Sequence, residues 1–178
     1  MSDPERHARP NTWLVPFINL GHLLDHLVML VFPTVVLALA REWDRPYSEL
    51  LPLALGGFIA FGAFAIPAGW LADHWSRYKM MAVFFFGIGV SLFLTGFAQS
   101  AWQIGVGLFV IGMFAAIYHP VGLAMVTQKW RNTGMRLAVN GVWGNLGDGW
   151  LTITYDPAAD ACVDLSRSDS ARRSATRR

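Results

Sequence analysis

Four long, predominantly apolar stretches, Leu14 to Ala40, Leu50 to Ala72, Met80 to Ala98 and Trp102 to Val126, decide what this chain can fold into. Each is long enough for a helix to cross a hydrocarbon core about 30 Å thick, which takes roughly 20 residues. With no water in that core to satisfy the backbone, a spanning segment must close its own hydrogen bonds, so helices are the expected structure. The breaks at 41–49, 73–79, 99–101 and 127–136 are short and polar, and predict antiparallel hairpins rather than separate domains. Composition agrees with this reading. Of the 178 residues 54% are hydrophobic and only 15% charged, where a soluble domain carries roughly 25% charged residues. Such a chain lacks the polar surface to coat a water-soluble enzyme. Its 14 basic and 12 acidic residues give +2 with no basic patch, so a nucleic-acid partner is not expected. The single cysteine, Cys162, excludes an intrachain disulfide framework and a multi-cysteine metal site.

Counting lysine and arginine on alternate sides of the spans sets the orientation. Arg6, Arg9, Arg77, Lys79, Lys129, Arg131 and Arg136 fall on one side, Arg41 and Arg45 on the other, which predicts a cytoplasmic N-terminus. Trp13, Trp43, Trp75, Trp102 and Trp130 fall at span edges, where an indole ring sits at headgroup level. The segment 1–13 carries charges and prolines without a short apolar core and cleavage site, so it reads as a cytoplasmic N-terminal segment and not as a signal peptide.

Ionisable groups inside a span cost on the order of 2.5 to 3.5 kcal/mol each on insertion scales, and are functional hypotheses by default. In the first span Asn19, His22, Asp25 and His26 project at about 0°, −60°, −120° and −20° around the helix, one polar stripe, with Pro33 at about −40° on the same face. Asp25 is the candidate carboxylate for proton exchange, since protonation neutralises it. The structural alternative is a pair of Asp25 with His22 or His26 that holds helices together. Tyr118, His119 and Pro120 cluster within the fourth span, and an imidazole there can exchange a proton or donate to a substrate. Small residues four apart, Gly56 with Ala60, Gly87 with Ser91 and Gly112 with Ala116, read as helix-packing positions.

A fifth span begins at Leu137. In it Asn140, Gly144 and Gly147 share a face, with Asn145 further round, and the two asparagines are candidate pathway residues. From Asp148 the character changes: 148–178 is a polar tail without an apolar run after Tyr155. It reads as out-of-frame translation or truncation in mid-helix, or as a disordered extension. No GxGxxG, P-loop or HExxH motif is present, which leaves ATP hydrolysis, dinucleotide chemistry and zinc proteolysis without support.

The stretch from Gly69 to Lys79, GWLADHWSRYK, is the most specific segment. It resembles the cytoplasmic loop signature of the major facilitator superfamily: Gly69, Leu71, Ala72, Asp73, Arg77 and Lys79 fit, while His74, Ser76 and Tyr78 stand where arginine, glycine and a basic residue are usual. Within that superfamily GHLLDH and VFPTVV in the first span, AAIYHP in the fourth and NGVWGNLG in the fifth are similar to the branch that includes the fosmidomycin-resistance proteins, over about residues 14–147. The resemblance implies an all-α, multi-pass protein of the bacterial inner membrane, with twelve helices in two six-helix halves and a midplane site reached by alternating access. Of that architecture this sequence supplies four transmembrane helices and the start of a fifth, from the N-terminal half.

The expected function is proton-coupled secondary transport, of efflux type, of a small organic solute. Asn19, His22, Asp25, His26, Tyr118, His119, Asn140 and Asn145 form the substrate and proton pathway, and Gly69, Asp73, Arg77 and Lys79 form a cytoplasmic gating loop. The fragment is expected to be inactive alone, with the lipid bilayer and the solute as partners and no cofactor. The alternative class is a small membrane protein acting as a partner-binding or accessory subunit. An intramembrane enzyme would need a nucleophile or a metal set, and no metal is expected because the histidines are spread around the first span and His119 is distant in sequence.

Overall fold

The computed structural model describes residues 13–127 and 133–154. The N-terminal segment with Arg6 and Arg9, the residues Lys129, Trp130 and Arg131, and the tail from 155 onward with Cys162 lie outside the described residues. Among the described residues the fold is all-α: α1 (Leu14–Glu42), α2 (Tyr47–Leu50), a 3-10 turn (Leu51–Leu53), α3 (Ala54–His74), α4 (Arg77–Thr95), α5 (Ala101–Ala115), α6 (Tyr118–Thr127) and α7 (Thr133–Thr154). They include four columns long and apolar enough to cross a membrane, Leu14–Glu42, Tyr47–His74, Arg77–Thr95 and Ala101–Thr127.

Local chemistry places the ends. The hydroxyl of Ser76 accepts the Lys79 amide at 3.5 Å and caps α4. Ser76 has φ of −169°, extended backbone open to any residue, so the glycine usual in this loop is not required. The fourth column is broken between α5 and α6. Pro120 has no amide to give the Ala116 carbonyl and its ring crowds that oxygen; the chain tightens there, with Ile117 bonded three residues back to Phe114. This break re-aims Tyr118 and His119.

Sequential hairpins are not the main packing. α1 packs chiefly on α7, and α3 on α5, with α4 also against α5 and α6 wedged between α1, α3, α4 and α7. Two apolar clusters mark the two ends. Leu14, Ala72, Met80, Met125 and Leu137 belong to one, so the start of α1 and the 69–79 turn share an end. Leu39, Trp43, Leu50, Ala98 and Ala101 belong to the other.

The distribution of polarity is inverted relative to a soluble protein. Ile66 is 81% exposed and Phe86 76%, whereas Asp25 is 1% exposed. Apolar side chains on the outside cost nothing in lipid, while polar groups must find partners inside. Trp13, Trp75 and Trp102 are exposed at column ends, as an interfacial position requires.

α7 differs from expectation. Helical character does not stop at Gly147: α7 runs through Asp148 to Thr154. Hydropathy falls at Asp148, but the carboxylate has a partner in α1, and a satisfied polar group does not end a helix. The first residues of the expected polar tail, 148–154, are thus helical and continue α7.

Candidate functional site

The stripe on α1 spans enough of the helix circumference to face two neighbours at once. Asn19 and His26, near 0° and −20°, meet α7: Asn140 Nδ2 donates to Asn19 Oδ1 at 3.1 Å, and His26 Nδ1 lies 3.0 Å from Asp148 Oδ2. Asp25, near −120°, meets α6, with Oδ2 3.2 Å from His119 Nε2. His22 sits between them. Its Nδ1 donates to the Asn140 carbonyl at 2.7 Å, and its ring stacks on Tyr118 at 5.0 Å.

The partners of Asp25 and His26 therefore differ from the expected ones. Asp25 pairs with His119 across helices and not with His22 or His26 on its own helix. Side chains three and four apart on a helix run parallel, so a carboxylate at −120° reaches outward to α6 more readily than back along α1.

Beneath the histidines lies a satisfied polar lock. The Tyr118 hydroxyl donates to the Ile18 carbonyl at 2.9 Å and accepts from Asn140 Nδ2 at 2.9 Å. Asn19, Tyr118 and Asn140 are all buried. Glycines seat the rings: a methyl at Gly21 or Gly122 would stand 2.8 Å from the Tyr118 ring, and one at Gly144 would stand 2.9 Å from His22 Cε1. These three seats let aromatic rings lie flat between backbones.

Two atoms in the cluster have no protein partner. A backbone carbonyl only accepts, so His22 carries its proton on Nδ1 and its buried Nε2 presents a lone pair to nothing. Asp25 Oδ1 is buried and equally unpartnered. A buried polar atom without a hydrogen bond costs on the order of 1–3 kcal/mol, and such atoms point to a ligand or a proton.

Of the eight pathway residues expected, seven converge: Asn19, His22, Asp25, His26, Tyr118, His119 and Asn140. Asn145 does not; it lies exposed on the other face of α7. Asp148 joins the site and was missed because it opens a polar stretch. Its spacing of four from Gly144 was the available signal. The expectation that the three histidines stay apart also fails. His22, His26 and His119 each present a ring nitrogen within 4.8 Å of the others.

The residues expected to form a gating loop lie together, apart from this cluster. Arg77 donates to Asp73 across the α3–α4 turn at 2.5 Å. Lys79 Nζ stands 5.1 Å over the Trp75 ring, a cation–π contact. Gly69 packs close to the Pro120 ring, where a methyl would stand 3.2 Å from it. The loop thus touches the column whose break aims His119.

Comparison with known proteins adds three findings. The family profile described as Major Facilitator Superfamily matches residues 19–148. The puromycin resistance protein pur8 of Streptomyces alboniger is 30% identical over 95 residues, an alignment that covers 53% of this chain and 19% of that protein. No solved structure matches significantly. The matched interval runs from Asn19 to Asp148, the two residues that bound the polar cluster in sequence.

Proposed function

The chain belongs to the Major Facilitator Superfamily, and on that premise we propose that it forms part of a proton-coupled secondary transporter that exports a small organic solute. It is a multi-pass integral membrane protein of a transporter family, and not of an enzyme family. The observation that carries the proposal is the Asp25–His119 contact between α1 and α6, with Asp25 Oδ1 buried and free. A proton on Asp25 removes its charge and weakens the hold on His119, so the two protonation states favour different separations of α1 and α6. That difference in proton affinity between states is what coupling requires.

Export of an organic solute is supported by the similarity to a resistance protein, and the fosmidomycin-resistance-like branch by the GHLLDH, AAIYHP and NGVWGNLG segments that build this cluster. The end of the bundle that carries Arg77 and Lys79 and the start of α1 is assigned to the cytoplasm, and the membrane to the bacterial inner membrane. On this reading Asp73–Arg77 latches one state at the cytoplasmic end. The described helices build one wall of a midplane site, and the two-half architecture supplies the other. We therefore expect no transport by these helices alone.

The test is Asp25→Asn in a twelve-helix version of the protein, reconstituted in vesicles with an imposed pH gradient. The expected result is solute binding retained and proton-driven transport lost by at least about 100-fold. Unchanged proton dependence removes Asp25 from the mechanism.

A further inference from the structure

We propose that His22, His26 and His119 form a binding site for a divalent transition-metal ion of the zinc class, with Asp25 as the carboxylate that holds the His119 ring. The inference rests on the reading of this cluster as the transport pathway and names a ligand for it: a borderline-soft divalent cation.

The first argument is the division of labour in each imidazole. A metal-binding histidine presents one nitrogen to the ion and commits the other to a carbonyl or carboxylate, which fixes the ring and raises its basicity. All three rings follow this pattern. His22 Nδ1 is held by the Asn140 carbonyl, His26 Nδ1 by the Asp148 carboxylate and His119 Nε2 by the Asp25 carboxylate. The nitrogens left over are Nε2 of His22, Nε2 of His26 and Nδ1 of His119. They come from α1 and α6, with α7 supplying two of the three outer acceptors.

The second argument is geometry. An ion about 2.0–2.1 Å from each of three tetrahedrally placed nitrogens sets the ring centroids roughly 5 Å apart. The observed separations are 4.7, 5.4 and 6.0 Å for His22–His26, His22–His119 and His26–His119. A ring nitrogen of each lies within 4.8 Å of the others, against roughly 3.3 Å for two nitrogens on one tetrahedral ion.

Donor type chooses the ligand. Three imidazoles gathered within 4.8 Å of one another make a nitrogen-rich donor set. Magnesium and calcium favour all-oxygen cages, while imidazole suits zinc, copper, iron and nickel. The buried lone pair on His22 Nε2 is an atom such an ion satisfies.

Cobalt(II) is the probe, since its visible spectrum reports ligand number, followed by displacement with zinc. Purified full chain in detergent is expected to bind one cobalt with the spectrum of a four- or five-coordinate nitrogen–oxygen site. His22→Ala and His119→Ala are expected to weaken binding about 100-fold or more. Asp148→Asn, at the more exposed rim, is expected to keep the fold and to weaken binding about 10- to 100-fold by removing the carboxylate charge that raises the basicity of His26. The remaining histidines, His7 and His74, are the control, and their double alanine variant should bind as the parent does.

No cobalt uptake, a six-coordinate oxygen-type spectrum, binding indifferent to Asp148→Asn and His22→Ala, or binding lost only with His7 and His74 would each overturn the site. Transport is measured separately. Proton-driven transport with no metal binding ends this inference and leaves the transport reading standing; metal binding in a twelve-helix version that shows no proton dependence upholds the site and ends the coupling.

Discussion

The α3–α5 contact and the α1–α6–α7 contact are both built on glycine, and they use it for opposite purposes. At the first, backbones meet. A methyl at Gly57 would stand 2.9 Å from the Leu108 carbonyl oxygen, and one at Gly112 would collide with the Gly57 backbone. At the second, Gly21, Gly122 and Gly144 leave room for the rings of Tyr118 and His22. One interface is a close backbone contact; the other is wired with polar side chains and carries two unpartnered atoms. In a membrane, where lipid competes equally for apolar surface, close backbone contact is how a purely structural interface gains dispersion energy. Polar rings are tolerated only where partners exist, so the ionisable groups gather at the other interface.

The sharpest way to break the comparison is Gly112→Leu. Overpacking costs 1–3 kcal/mol and occasionally more, and here the obstacle is backbone, so a loss of about 3 kcal/mol is expected in detergent unfolding. Metal binding per folded molecule should be unchanged. A variant that keeps its stability would show that α3 and α5 do not meet at this position.

Asn140→Ala ranks second. It strips Asn19 and Tyr118 of a shared donor while all three positions are buried, and should cost about 2 kcal/mol. Tyr118 fluorescence or its near-ultraviolet dichroism should change with it. Gly144→Ala is expected to be milder for stability, about 1 kcal/mol, because the His22 ring can shift. Cobalt affinity should fall with it, which separates the ring-seating glycines from the Gly57–Gly112 kind. Equal stability losses at Gly112 and Gly144 with no effect on cobalt would erase the distinction.

Asp73→Asn should have the smallest effect on stability, under about 1 kcal/mol, since the pair with Arg77 is largely solvent-facing. Its effect on transport in a twelve-helix version should be far larger than that figure. A variant with both stability and transport unchanged removes the latch.

Much of the site was legible because helical periodicity coincides with chemistry. The positions of Asn19, His22, Asp25 and His26 on one side of α1 follow from 100° per residue, and Tyr118 and His119 stand out as polar residues in an apolar run. Asn140 was legible for the same reason. Asn145 was placed in the pathway because an amide in a span invites that reading, but its angle on α7 turns it outward. Asp148 was lost to the opposite bias: a hydropathy fall read as the end of a span, although its carboxylate is held by His26.

The sequence by itself determined the class of structure: four apolar stretches of spanning length have no soluble alternative, and the cost of unsatisfied backbone in lipid makes them helices. It also determined which residues are expensive at membrane depth and must therefore be partnered. The partners were decided only by tertiary structure. Nothing in a linear sequence says that α1 packs on α7 and α3 on α5, because small-residue spacing marks surfaces that approach closely without naming what approaches them. That pairing brings His119 and Asp148, some hundred residues further along the chain, onto opposite sides of the α1 stripe, and it turns three scattered histidines into one cluster.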